Sequence, residues 1–358
     1  TQLMWSMGFI SLVITAFVYA CKYWILHGVF GQIEADVMHH ADVYLLIVTA
    51  SIPFIALYNG GAAVFRAMGN SEVSMKVSLL MNAINVSGNA ILIYGFHCGT
   101  EGVAIPTLVS RFVAAFIIIK LLLKDKWSLH LERTYRFNPD WSMIRKILSV
   151  GIPNGLENSM FQLGKVLVLS LVSTFGTYAI AANAVSNVIT LFSILPGQAI
   201  CLAVTTVIAR CVGAGDYEQA KYYNKKLILL THIGMAITIF IVFITLPFIL
   251  KVYNLSEAAS EATRHIIWFH GFCAILIWAE SFTLPATFRA CGDAKACMII
   301  STVSMWIFRV GASYILGKNL GLGVFGVWVA MIIDWAFRSL LFGIRYFSGK
   351  WKKHALVS

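Results

Sequence analysis

The segment Phe65–Asn70 reads FRAMGN, and 223 residues later Phe288–Asp293 reads FRACGD, with four of six positions identical. On either side the match continues at an offset of 224. Thr1–Leu26 then lies ungapped over Lys225–Leu250, and Gly102-Val103 falls on Gly326-Val327. A long period held over this length marks a duplicated unit. The two copies do not start together, because residues from about 140 to 224 have no counterpart in the first copy. The repeat predicts two further helices ahead of residue 1, so the chain reads as N-terminally truncated.

Composition decides what kind of unit is repeated. The chain is 59% hydrophobic and 12% charged, with a mean hydropathy of +0.79, which excludes an ordinary soluble globular domain. Apolar runs near 20 residues recur along it, each long enough to cross a hydrocarbon core. The net charge of +11 is carried mostly by short loops between those runs. That is the positive-inside pattern of a multi-pass protein and not a nucleic-acid surface. Seven cysteines are scattered, mostly within apolar runs, without a CxxC pair, and read as small apolar residues.

In the first copy four spans are expected, at 3–27, 43–64, 77–96 and 102–123. A basic segment, 124–148, follows with Lys124, Lys126, Arg133, Arg136, Arg145 and Lys146. Within it Asn138-Pro139-Asp140 predicts a helix start with proline at the first helical position. Trp141, Ile144 and Leu148 then predict an amphipathic helix on the membrane surface. Six spans follow in the second copy, at 149–174, 179–208, 227–250, 265–287, 297–316 and 323–344.

Loop charges alternate along all ten spans, which puts both ends of the chain on the cytoplasmic side. An even number of spans per copy makes the copies parallel, related by an axis along the membrane normal. The expected fold is an all-α multi-pass membrane protein. Its parts are a partial N-terminal lobe at 1–123, a basic cytoplasmic linker at 124–148, a C-terminal lobe at 149–347 and a basic tail at 348–358.

Several segments carry a family likeness. The paired FRAMGN and FRACGD, the stretch GIPNGLE (151–157), ARCVGAGDYEQA (209–220) and GVWVAMIIDWAFRSLLF (326–342) together resemble the multidrug and toxic compound extrusion (MATE) family. The likeness runs over essentially the whole chain. It implies twelve helices in two six-helix lobes, ten of which this chain holds. It also implies an antiporter, not an enzyme, that exchanges Na+ or H+ for a small organic, often cationic, substrate in a cleft between lobes. No cofactor is implied, and no metal beyond a transported Na+. The partners expected are the bilayer and the substrate, with no nucleic acid, for a monomer in the cell membrane. One departure is visible: where one branch of the family carries an acid eight residues after the proline of the seventh helix, this chain has Phe161. Other members rely on an aspartate in the first helix, which lies outside this sequence.

Charged side chains inside spans need partners or a wet cavity, since each costs about 2.5–3.5 kcal/mol on insertion scales. Glu157 lies roughly 9 Å in from Gly151, and Glu280 roughly 13 Å from Arg289, counted at about 1.5 Å per residue. Their similar depth makes both candidates for cation coupling at one cavity; the alternative for Glu157 is a structural bond to Asn154 or Asn158. Asp334, Arg309 and Arg338 predict an intramembrane ion-pair network, with Asp334 and Arg309 meeting across sequential antiparallel helices and Arg338 one turn from Asp334.

The substrate candidates are Gln198, Asn154, Asn158, Gln162, Lys165 and Arg111. Lys165 either snorkels outward or repels a cationic substrate. Arg111 either pairs within helices ahead of residue 1 or caps carbonyls near a helix break. Pro196-Gly197-Gln198 either lines the cleft with a polar amide or makes a packing bend.

Two other functions were weighed. A flippase for a lipid-linked saccharide would be favoured by a large, strongly cationic cavity. An intramembrane enzyme would need a nucleophile–base pair or metal cluster at depth. The histidines do not supply one: His232, His265 and His270 are too dispersed in sequence to read as ligands.

Overall fold

A computed structural model describes residues 1–24, 26, 27, 35–131 and 139–354. Among these residues the chain is helical, without a strand. It divides into two compact units, Thr1–Ile147 and Leu148–Ser358. In the first, α1 (Gln2–Trp24), α2 (Ala35–Ala50), α3 (Ile52–Ala67), α4 (Ser71–Ala90) and α5 (Glu101–Leu122) follow one another. Next comes α6 (Trp141–Ser173). The second unit continues with α7 (Thr177–Gly213), α8 (Tyr217–Tyr253), α9 (Glu257–Trp278), α10 (Leu284–Ala290), α11 (Ala294–Ser304) and α12 (Gly323–Phe347).

Nine helical rods among the described residues are long and apolar enough to cross a membrane, counting α2 with α3, α9 with α10, and α11 with the π-helical turns after it as single rods. At 33 residues α6 is long enough to be the tenth, though it carries Glu157, Gln162 and Lys165 within its length. The order of rods is the one expected from the sequence. Their outer faces are apolar: on α8, Ile233, Ile237, Phe240, Ile244 and Phe248 are all exposed at helical spacing. Water would not tolerate such a stripe, whereas lipid matches it.

The repeated hexapeptide is a helix-ending turn. At the end of α3 the amide of Gly69 donates to the Arg66 carbonyl and that of Asn70 to the Phe65 carbonyl, both at 2.9 Å. At the end of α10, Gly292 donates to Arg289 at 3.1 Å and Asp293 to Phe288 at 2.9 Å. This pair of bonds closes a helix when the penultimate residue is left-handed, as Gly69 (φ 83°) and Gly292 (φ 84°) are. Phe65 and Phe288 are fully buried, which anchors each turn. Asn70 then caps α4 through Val73. The ARCVGAGD stretch builds the same turn at Gly215 (φ 75°), after which Asp216 caps α8 by accepting from the Gln219 amide at 2.8 Å.

The duplication also extends to an irregularity that no hydrophobic pattern encodes. The last turn of the rod begun by α4 is π-helical at Ile91–Gly95, and so is Tyr314–Asn319, 224 residues later. Phe96 donates to the Ile91 carbonyl at 3.1 Å, and Leu320 to that of Ile315 at 2.9 Å. His97 (φ 51°) takes the left-handed conformation that Gly321 (φ 71°) takes in the second copy. The matching backbone fixes the register of the repeat at 224.

The linker differs from expectation. The segment expected to form a separate surface helix is the first part of α6, which runs unbroken from Trp141 to Ser173. Its cap is Asp140, whose Oδ1 accepts from the amides of Ser142 and Met143 at 3.0 and 3.1 Å. Pro139 precedes the helix and does not occupy its first position. Asn138, Arg133, Arg136 and the end of the basic tail lie outside the described residues.

In the second unit a core of Met235, Ile266, Trp278, Trp328 and Trp335 joins α8, α9 and α12. α7 runs through Pro196-Gly197 as one helix, and Gly197 lets it pack on this core: a Cβ there would come 2.3 Å from the Trp278 ring. The Gln198 side chain is exposed.

Candidate transport site in the second unit

Glu280 sits on a π-helical turn, Ala279–Thr283, between α9 and α10. Widened turns of this kind are frequent at functional sites because they free backbone carbonyls. The carbonyl of Ile275, in the last turn of α9, is 2.6 Å from Nδ1 of His232, on α8. The other ring nitrogen, Nε2, is 3.0 Å from Glu280 Oε1. A carbonyl only accepts, so Nδ1 carries its proton, and the Nε2–Oε1 contact must hold a second one. With that proton on the ring the pair is imidazolium and carboxylate; with it on the acid both groups are neutral. Either way the pair has zero net charge and one transferable proton. Glu280 Oε2 is buried and has no partner among the described residues. Sequence reasoning dismissed His232 as dispersed. It lies 48 residues from Glu280, and only the packing of α8 on the π-helical turn brings them together.

Glu157 has a different environment. Its side chain is buried, and both of its oxygens accept from Nη2 of Arg289, at 2.7 and 2.8 Å. A second guanidinium, Arg338 Nη2, lies 3.9 Å from Oε1. Arg289, which marks the edge of its span in the sequence, reaches back from the end of α10 to α6. The expected bonds from Glu157 to Asn154 or Asn158 are absent among the described residues, and Asn158 donates instead to the Asn154 carbonyl at 2.8 Å. Glu157 and Glu280 therefore have separate partners and do not share one binding arrangement.

The expected pairing of Asp334 with Arg309 is also corrected. Asp334 is fully buried and accepts from the Ser304 hydroxyl at 2.5 Å, with Arg338 Nη1 4.0 Å from its other oxygen. Arg338 also donates to Ser301 Oγ at 3.0 Å and lies over the Phe282 ring. Arg309 is on a further π-helical turn, Met305–Gly311. The widened turn rotates the helix face, so Ser304 meets Asp334 and Arg309 points elsewhere. Its guanidinium is 5.3 Å from the centre of the Phe161 ring, and Lys165 Nζ is 5.2 Å from the same centre.

Lys165 and Arg309 line one cavity of about 240 Å³ with Asn183, Asn187, Trp328 and Met331. Asn183 Oδ1 accepts from Trp328 Nε1 at 3.1 Å, which leaves the Asn183 amide nitrogen as a donor. Of the sequence-level substrate candidates only Lys165 lines this cavity. Asn158, Gln162 and Gln198 are exposed elsewhere on their helices. Arg111 belongs to the first unit, where its Nη1 donates at 2.7 Å to Ser51 Oγ at the break between α2 and α3. Its described partner is that hydroxyl at the helix break, where the sequence reading offered backbone carbonyls. Among the described residues no three of His, Cys, Asp and Glu cluster to hold a metal ion.

Comparison with known proteins places this architecture. The MatE family model matches residues 1–91 and 153–315. A probable multidrug resistance protein NorM of Thermotoga maritima is 26% identical over 339 residues, covering 93% of this chain and 72% of that protein. The uncharacterized transporter YisQ of Bacillus subtilis is 27% identical over 352 residues, covering 96% and 75%. A solved structure described as the outward-facing conformation of a multidrug resistance MATE family transporter superposes with a TM-score of 0.86 at 19% identity, covering 98% of this chain and 79% of that one. The model match extends over both copies of the repeat, and the chain belongs to the MatE family, that of the MATE transporters.

Proposed function

We propose that the protein is a proton-coupled exporter of small organic molecules, working in the cell membrane by alternating access of its two lobes with both chain ends cytoplasmic. The single observation that carries the coupling reading is the Glu280–His232 pair. It holds one transferable proton between two side chains within membrane-spanning helices, and the second oxygen of Glu280 is buried without a partner. A coupling ion must favour one conformation over another, and a proton does so by joining or separating these two groups. Na+ would have to displace that proton and sit beside an imidazole that offers N–H, so H+ is the coupling ion we favour. The names of the NorM relatives support a drug-like substrate, and the family membership supports transport over catalysis.

The test uses the purified protein in proteoliposomes loaded with a panel of cationic and anionic dyes. Efflux driven by an imposed pH gradient, and not by a Na+ gradient, is the expected result. Movement under Na+ alone would reassign the coupling ion. Failure of every gradient to move any dye would count against the exporter reading.

A further inference from the structure

We infer that the cavity between α6, α7, α12 and the π-helical turn carrying Arg309 is a binding site for a compact organic anion, with its carboxylate or phosphate group between Lys165 and Arg309. The charge balance of the second unit leads there. Four cations gather around Phe161 and Glu157: Lys165, Arg309 and Arg338 face the Phe161 ring, and Arg289 bonds Glu157. Arg289 has Glu157, and Arg338 has Asp334 and Glu157. Glu280 is taken by His232. Lys165 and Arg309 have no carboxylate within ion-pair distance among the described residues, and these two line the same cavity. What faces them both is the Phe161 ring. A ring quadrupole offsets only a fraction of a full charge, and unpaired cations in a membrane are costly.

The first copy of the repeat lacks this charge. The repeat register of 224 places Asn85 of the first copy at the position of Arg309, and Asn85 is a neutral amide donating to Thr107 Oγ1 at 3.0 Å. The first copy, α-helical here where the second has its π-helical turn, thus carries no cation at this position. The cavity supplies the rest of an anion site. Asn183 is held by Trp328 with its amide nitrogen left to donate, and Val168, Val327, Trp328 and Met331 form an apolar wall. Two cations, an amide donor and an apolar wall recognise a small aromatic or aliphatic acid. At about 240 Å³ the cavity fits such an acid and is too small for a lipid-linked saccharide, so its positive lining does not favour the flippase reading.

The test is equilibrium binding of salicylate and of phenyl phosphate to the protein in nanodiscs of phosphatidylcholine, by titration calorimetry. At least one of the two should bind saturably, and the neutral analogue salicylamide should not. Arg309→Gln and Lys165→Gln should each weaken binding by roughly tenfold or more, as expected for loss of a charge-assisted bond. Both should keep a monodisperse elution profile, and Arg309→Gln should melt close to wild type because it removes a cation with no carboxylate within ion-pair distance among the described residues. Lys165 is exposed, so its variant remains informative if Arg309→Gln fails to fold. Equal binding by both variants, or no saturable binding of either probe, overturns the assignment. Adding phosphatidylglycerol separates the sources: unchanged affinity supports a soluble anion, and complete competition reassigns the site to a lipid headgroup and overturns the proposal as stated. The proposal rests on the exporter reading only for the idea that the bound anion is moved. Binding is measured without transport, so the two readings fail separately.

Discussion

Arg289 donates to both carboxylate oxygens of Glu157, at 2.7 and 2.8 Å, across 132 residues of sequence. The arginine is the second residue of the repeated hexapeptide, so a turn that ends one helix also ties that helix to α6. The pair is largely shielded from solvent. Breaking it from one side strands a charge, at a cost of about 3–5 kcal/mol. Glu157→Gln should therefore lower the melting temperature in detergent, and adding Arg289→Gln should recover part of the loss. Additive losses in the double variant would show that the two residues act independently.

A second prediction separates Arg338 from Arg309. Asp334→Asn should destabilise the protein, by up to about 3–5 kcal/mol, since it removes one of the two carboxylates beside the buried Arg338 guanidinium. Arg338→Gln added to that variant should restore stability in part, because Arg338 is the cation 4.0 Å from Asp334. Arg309→Gln should restore none of it. Rescue by Arg309→Gln instead, read from thermal unfolding, would reinstate the pairing that the sequence pattern favoured.

The rods were legible in the sequence because each depends on a local property, the length of an apolar run. The repeat was legible because FRAMGN and FRACGD are spelled nearly alike. What they do was not: the same letters mean a left-handed glycine and two specific backbone bonds, which only coordinates reveal. The charged site was misread for a related reason. Depth along a helix follows from residue counting, but direction around it does not survive a π-helical turn. Met305–Gly311 turns Arg309 away from Asp334, and Ala279–Thr283 carries Glu280 to within 3.0 Å of His232. No apolar pattern announces an extra residue per turn. His232 did leave a trace, as a lone histidine within the apolar run 227–250, but its partner lies at the end of the next helix.

The third prediction concerns the repeated turn. Gly69 and Gly292 hold φ near 83° and 84°, where a Cβ costs about 1–2 kcal/mol. Gly69→Ala and Gly292→Ala should each lower stability by that order, and Gly→Asn at either position by less. Thermal melts of the four variants decide it. A neutral Gly292→Ala would mean that the turn is not under this conformational constraint.

Coupling through Glu280 is the central claim, and Glu280→Gln in proteoliposomes tests it most directly. Glutamine keeps the shape and can still bond to the imidazole, but it cannot give up a proton at the pH of the assay. With wild-type incorporation and melting temperature, the variant should bind substrate yet show no acceleration of efflux when an inward proton gradient is imposed. Efflux that responds to the proton gradient as the wild type does would contradict the account and move the coupling site away from the Glu280–His232 pair.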